Sequence, residues 1–271
     1  MGSAVWNPEK GEIDKAAIEG MDAVVHLAGE NIAAARWTEE QKARILNSRV
    51  NGTRLVSDAL AALTRPPKVF VAASAIGYYG DRDSESLDES SSAGSNFLAH
   101  VCVPWEKATE AAARAGIRVV NLRIGVVLAA DGGALAKMIT PFKFGLGGKI
   151  GSGRQYMSWI EIDDVAGAIN HVIANESLRG PVNAVAPNPV TNAEFTATLG
   201  KVLSRPTLFP MPAFAARLAF GEMGDELLLG STRVYPKKLQ ESGYKFRFNQ
   251  LEPALAHLLR TGQQKTHAAG G

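Results

Sequence analysis

The segment AASAIGYYG, residues 72–80, gathers a serine and two phenols at the end of an apolar run. Ser74 can hydrogen-bond a substrate oxygen, and Tyr78 or Tyr79 can give or take a proton. His100 carries an imidazole whose ordinary pKa of about 6.5 suits proton transfer. Cys102 is the only cysteine, so it excludes an internal disulfide and a cysteine-built metal centre. No second His or acid stands in register with it, and it reads as a small core residue rather than a nucleophile. Asp163 and Asp164, in WIEIDDVAGAI, sit at a strand-to-helix junction. Acids there cap the helix and favour its N-terminus more readily than they transfer protons. No metal site is expected.

The elements that must position these groups alternate. Apolar, β-branched runs at 23–28, 69–73 and 117–128 are separated by helical patterns, the signature of βαβ units and a mainly parallel sheet. One helix opens at Thr38, an N-cap residue followed by Glu40 and Gln41. Another starts at Asn96 and runs to about Ala115, where Gly116 closes it. The polar stretch 81–95 reads as an exposed loop over a site. Five glycines between Gly145 and Gly153 suggest a phosphate loop, but Ile150 breaks the G-x-G-x-x-G spacing. The segment also follows a helix and precedes a strand, the reverse of the required order. It reads instead as a mobile loop over the substrate cleft. From Arg179 prolines punctuate shorter elements, which places a smaller α+β lobe at 179–260 after a larger domain at 1–178. A polar tail at 261–271 is expected to fray.

Composition narrows the partners. Lys and Arg total 29 against 27 Asp and Glu, and the basic residues are scattered. That balance argues against nucleic acid or a membrane surface. No apolar run approaches the roughly eighteen residues of a membrane span. The first residues lack a charged start followed by an apolar run, so a cytoplasmic protein is expected.

Three motifs in order carry a resemblance. VVHLAG, AASAIGYYG and SWIEIDDVAGAI resemble strand-end motifs of the extended short-chain dehydrogenase/reductase family, the nicotinamide-dependent epimerases and dehydratases. LAGENIAAARW, WEKATEAA, GLGGKIGSGRQYMSWI and GPVNAVAPNPVTNAEF are similar to an atypical, epimerase-like branch with a small C-terminal domain. The resemblance implies a Rossmann-like, doubly wound α/β sheet that binds NADP or NAD and moves hydride between cofactor and a carbonyl or alcohol. Carried over by position, it implies cofactor contacts at Leu27, Ala28, Gly29, Glu30, Arg36, Ala73, Ser74, Gly125, Val126 and Val127. Asn183 and Asn188 become candidate substrate contacts.

Two departures stand out. The family's catalytic Tyr and Lys positions fall on Leu98 and Cys102, which leaves Ser74, Tyr78 and Tyr79 as replacement catalytic groups. His100 lies about 200° round the helix from Leu98 and should face away. Ahead of Ala23 there is also no strand and glycine-rich turn for a pyrophosphate. The resemblance therefore implies a chain short by roughly forty to fifty residues, the size of a βαβ unit and its second strand. Its first strand would then expose an apolar edge that invites pairing with a second copy or a partner. A nucleotide-binding protein without catalysis and an interaction protein that uses that edge remain the alternatives.

Overall fold

The computed structural model describes residues 4–268. Its central sheet has four parallel strands in the order Gly180–Ala184, Arg118–Ile124, Val69–Ala75, Ala23–His26. Successive side chains of a strand face opposite ways, and the central strand uses both faces. Phe70 and Ala72 pack with Val56, Leu60 and Ala112, from helices Glu39–Ala61 and Glu110–Arg114. Val69 and Val71 pack with Val165, Ala168 and Val172 of helix Ile162–Ala174 on the other face. This is the doubly wound α/β arrangement that the alternating pattern predicts.

Ala23–His26 is the terminal strand, and among the described residues no strand pairs with its outer edge. Val25 and Leu27 stand 39% and 52% exposed there, so apolar surface does reach the edge. Ahead of it lie a two-residue hairpin, Trp6–Asn7 with Glu12–Ile13, and a short helix, Lys15–Ile18. The hairpin sets Trp6 edge-on to His26, with ring centroids 5.5 Å apart. Burial there pulls the His26 pKa below its ordinary value.

The sheet extends past residue 178, because Gly180–Ala184 hydrogen-bonds to Arg118–Ile124 in parallel register. The second core likewise draws on both halves of the chain. Leu128, Leu135, Ile139 and Trp159 pack with Phe195, Leu199 and Leu255. Helix Leu251–Ala268 continues beyond 260 into the segment expected to fray, and residues 269–271 of that segment lie outside the described residues. The glycine-rich loop is pinned by backbone hydrogen bonds, Gly151 N to Met211 O at 2.8 Å and Met211 N to Lys149 O at 2.9 Å. A Cβ on Gly148 would collide with the Phe209 carbonyl. Gly148 therefore serves close approach of two backbones.

Candidate functional site

At the C-terminal ends of the central strands lies a buried polar chain. Arg123 is 3% exposed and forms a bidentate pair with Glu106 of helix Phe97–Lys107, at 2.7 and 2.9 Å. Ser74 Oγ donates to the same carboxylate at 2.7 Å. On its other side Arg123 donates to the Tyr79 hydroxyl at 3.0 Å, and Tyr79 donates to Asn183 Oδ1 at 2.7 Å. Glu89 ends the chain by accepting the Asn183 backbone N–H at 3.0 Å. The Tyr78 ring lies flat against this system, 3.4 Å from the Arg123 guanidinium carbon to the ring centroid. Burial works against the Arg123 charge, but Glu106 outweighs it and holds the guanidinium pKa above its ordinary value.

Burial pushes the Tyr79 phenol up to about 12, against a partial opposing pull from Arg123. The folded pKa is raised, so this contribution to stability is complete below the unfolded value of about 10 and is lost as pH climbs through the folded one. Wild-type protein should therefore lose about 2–3 kcal/mol more than Tyr79→Phe between these limits. Denaturant midpoints measured across that range check the difference; parallel curves for the two proteins would exclude it.

Ser74 and Tyr79 thus spend their hydroxyls inside the protein. Tyr78 is half-buried, and its hydroxyl makes no hydrogen bond among the described residues. Its ring lines an open cavity of about 660 Å³ with Val103, Glu106, Lys107 and Asn121. A second cavity, of about 630 Å³, lies where the 81–95 loop meets the C-terminal part, between Asp81, Ser84, Arg154, Tyr156 and Ser231. The loop is docked there, with Ser231 N on Asp81 Oδ1 at 3.1 Å and Arg233–Val234 paired with Ser86–Leu87.

The positions expected at the cofactor divide into two groups. Leu27 and Gly29 are exposed and Ala28 and Glu30 half-exposed in the turn after the edge strand, whose Glu30 N–H donates to Ser48 Oγ at 3.0 Å. Arg36 is exposed and reaches Gly221 of the C-terminal part. The Ala73 side chain, by contrast, is packed with Cys102 and Trp105, while Val126 and Val127 pack into the two cores. Gly125 explains the last pair. Its N–H still bonds Ala184 O at 3.0 Å, but the next N–H, of Val126, bonds Ser158 O at 2.9 Å. The chain changes sheets at that glycine, and a Cβ there would sit 2.7 Å from both Ser158 O and Val185 Cγ1.

Leu98 packs against Gly77, and Cys102 is buried with Sγ 3.7 Å from Ala75 O. Burial raises the thiol to about 12, so it is not a thiolate. His100 is exposed, as the helix phase requires. Asn183 belongs to the buried chain, and Asn188 donates to Asn249 O at 2.7 Å.

Several groups emerge only with the structure. Glu226 caps helix Phe97–Lys107 by accepting the N–H groups of Phe97 and Leu98, at 2.9 and 3.1 Å. Glu161, the residue before the paired acids, caps helix Ile162–Ala174 by accepting the N–H groups of Asp163 and Asp164. Asp164 does not cap. It accepts the Tyr244 hydroxyl at 3.0 Å and the N–H groups of Arg247 and Phe248 at 2.8 Å each. Asp164→Ala strands two backbone donors and should cost about 2–3 kcal/mol, read as a lower denaturation midpoint; an unchanged midpoint would exclude this staple. Glu161, Asp163 and His257 bring ligand atoms within 4.8 Å of one another, with Arg247 already donating to Asp163 Oδ2 at 2.7 Å.

A parallel sheet covered on both faces, with glycine-containing turns after the strands at Gly29 and Gly125, defines a doubly wound protein of the dinucleotide-binding type. The NAD dependent epimerase/dehydratase family matches residues 8–184, and a domain of unknown function, DUF1731, matches 211–258. An epimerase family protein of Mycobacterium tuberculosis is 46% identical over 252 residues, 93% of this chain and 83% of that protein. Human epimerase family protein SDR39U1 is 35% identical over 261 residues, 95% of this chain and 87% of that one. The crystal structure of human SDR39U1 (isoform 2) with NADPH superposes with a TM-score of 0.83 at 36% identity, over 88% of this chain and 82% of that one. The chain belongs to the NAD-dependent epimerase/dehydratase family, as the motifs imply. No helix among the described residues is long and apolar enough to cross a membrane.

Proposed function

We propose that this protein binds NADPH along the C-terminal edge of its sheet and transfers hydride between the nicotinamide and a carbonyl or alcohol. The observation that carries the reading is the likeness, at a TM-score of 0.83, to a human relative solved with NADPH. The donor set supports it. The exposed turn at Gly29 is backed by a guanidinium, Arg49, that forms no ion pair among the described residues and feels only the charge of Glu30 in the same turn, and phosphate or ribose oxygens suit such a group. When bound, the cofactor supplies the hydride; the chain's own part is to hold it and to move one proton. Of the three expected hydroxyls, Tyr78 is the one left to do so.

A second reading, nucleotide binding without turnover, is favoured by the commitment of Ser74 and Tyr79 to the buried chain. Under either reading the open edge of Ala23–His26 supports pairing with a second copy.

Titration with NADPH and with NADH, followed by cofactor fluorescence, tests the proposal. Saturable binding of NADPH is expected. Failure of both cofactors to bind would overturn the two readings that rest on a nucleotide.

A further inference from the structure

We infer that an apolar tip, built from the glycine-rich loop and helix Ala213–Phe220, docks this protein on a membrane surface that carries anionic lipid headgroups. The inference is independent of the NADPH reading, and it concerns residues that line neither cavity.

Phe144, Leu146, Leu208, Phe209, Phe214 and Leu218 stand 58–77% exposed. Backbone hydrogen bonds bring the two segments together, with Phe209 N donating to Gly147 O at 3.3 Å and Met211 N to Lys149 O at 2.9 Å. Their outward aim is built in. Helix Gly133–Lys143 buries Leu135, Ile139 and Phe142, and the chain leaves that core where the helix ends. In helix Ala213–Phe220 it is Ala216 that is fully buried, and a Cβ on Gly224 would sit 2.9 Å from its carbonyl oxygen. Positions 214 and 218 each lie about 200° round the helix from 216, so Phe214 and Leu218 share the opposite face. Contiguous exposed apolar surface of this kind marks a contact with something else.

Charge selects the occupant. Summed over the chain, cations and acids nearly cancel, but the stretches 132–160 and 195–221 hold seven Lys and Arg and no Asp or Glu. Two of the cations are neutralised from outside these stretches, Arg217 by Asp225 and Lys201 by Glu252. Lys143, Lys149 and Arg205 are exposed and form no ion pair among the described residues. Arg205 is tied to the tip itself, its Nε donating to Lys143 O at 3.0 Å. Two copies meeting through this face about a two-fold axis would set these cations against themselves, with no acid in either stretch to offset them. An anionic bilayer surface satisfies both halves of the pattern. The aromatic and leucine side chains enter the boundary of the acyl chains to a depth of about 5–10 Å, and the lysines and arginine stay at the headgroups.

Co-sedimentation of the full chain with vesicles tests the inference, using phosphatidylcholine alone and an equal mixture of phosphatidylcholine and phosphatidylglycerol. Wild type should bind the mixed vesicles, release them as salt rises, and leave the neutral ones. Phe214→Ser/Leu218→Ser should weaken that binding by about 10–100-fold. Lys143→Gln/Lys149→Gln should weaken it by about 10–30-fold, the loss of two cations at an anionic surface. Unchanged thermal midpoints show that the variants are folded; if Phe214→Ser/Leu218→Ser is not, Leu218→Ser alone carries the comparison. Equal binding to both kinds of vesicle, or binding to neither, overturns the inference. So do double variants whose affinity stays within about twofold of wild type. Absence of vesicle binding together with self-association that the double variants abolish overturns it in favour of a second copy on this face.

Discussion

Glu106→Ala, or Arg123→Met, should lower the unfolding free energy by about 3–5 kcal/mol, because each leaves a buried charge without its partner. For a chain of this size that corresponds to a fall of roughly 6–20 °C in melting temperature. The magnitude follows from position. Arg123 is 3% exposed and the Glu106 side chain 12%, so water screens little of the pair. Each loss also spreads. Without Glu106, Ser74 Oγ loses its acceptor; without Arg123, Tyr79 keeps only Asn183 and Tyr78 loses the cation against its ring. The double variant Glu106→Leu/Arg123→Met should be less destabilised than the two single losses summed, since no lone charge remains. Calorimetry on the four proteins decides it. Single variants within about 1 kcal/mol of wild type would mean that the pair is wet and counts as a surface bridge.

That pair also shows what the sequence reveals and what it hides. The strands at 23, 69 and 118 are legible because β-branched, apolar runs in a doubly covered sheet have few other places to go. A charged residue inside such a run, Arg123 in VVNLRIGVV, already signals a buried partner. Its identity was not legible, since Glu106 lies 17 residues away on a helix that also carries Lys107, with Glu110 opening the next helix. The paired acids mislead for a related reason. Asp163 and Asp164 occupy a first turn, yet Glu161 takes the cap and leaves Asp164 for backbone donors some eighty residues later. Local spacing states what a residue is able to do, and long-range packing selects among those options. The larger domain's boundary follows the same rule. Pro181 marks a change of texture in the sequence, but an edge strand tolerates a proline, and Gly180–Ala184 completes the main sheet. Arg49 was hidden differently. It lies in an ordinary helical run, and only the approach of the Gly29 turn and Trp105 singles it out.

If the protein turns over, Tyr78→Phe should cut kcat by roughly 10²–10⁴-fold, the span of a lost general acid, and leave the NADPH dissociation constant unchanged. The expectation comes by elimination among groups already placed. Tyr79 donates to Asn183 and is held protonated by burial, Ser74 donates to Glu106, and Cys102 is a buried thiol. Of Ser74, Tyr78 and Tyr79, only Tyr78 keeps a hydroxyl with no partner among the described residues, and it lines a cavity large enough for a small substrate. Its ring cannot wander, since Arg123 lies against one face and the Tyr79 ring meets it edge-on at 5.4 Å. Phenylalanine keeps that packing and removes only the oxygen, so a stability loss cannot mimic the rate loss. Oxidation of NADPH in the presence of a panel of aldehydes, ketones and keto sugars provides the assay. Full activity in Tyr78→Phe would make Tyr78 a wall of the cavity. Tight NADPH binding with no oxidation by wild type across the panel would favour the binding-only reading, in which the buried chain has exchanged proton transfer for rigidity.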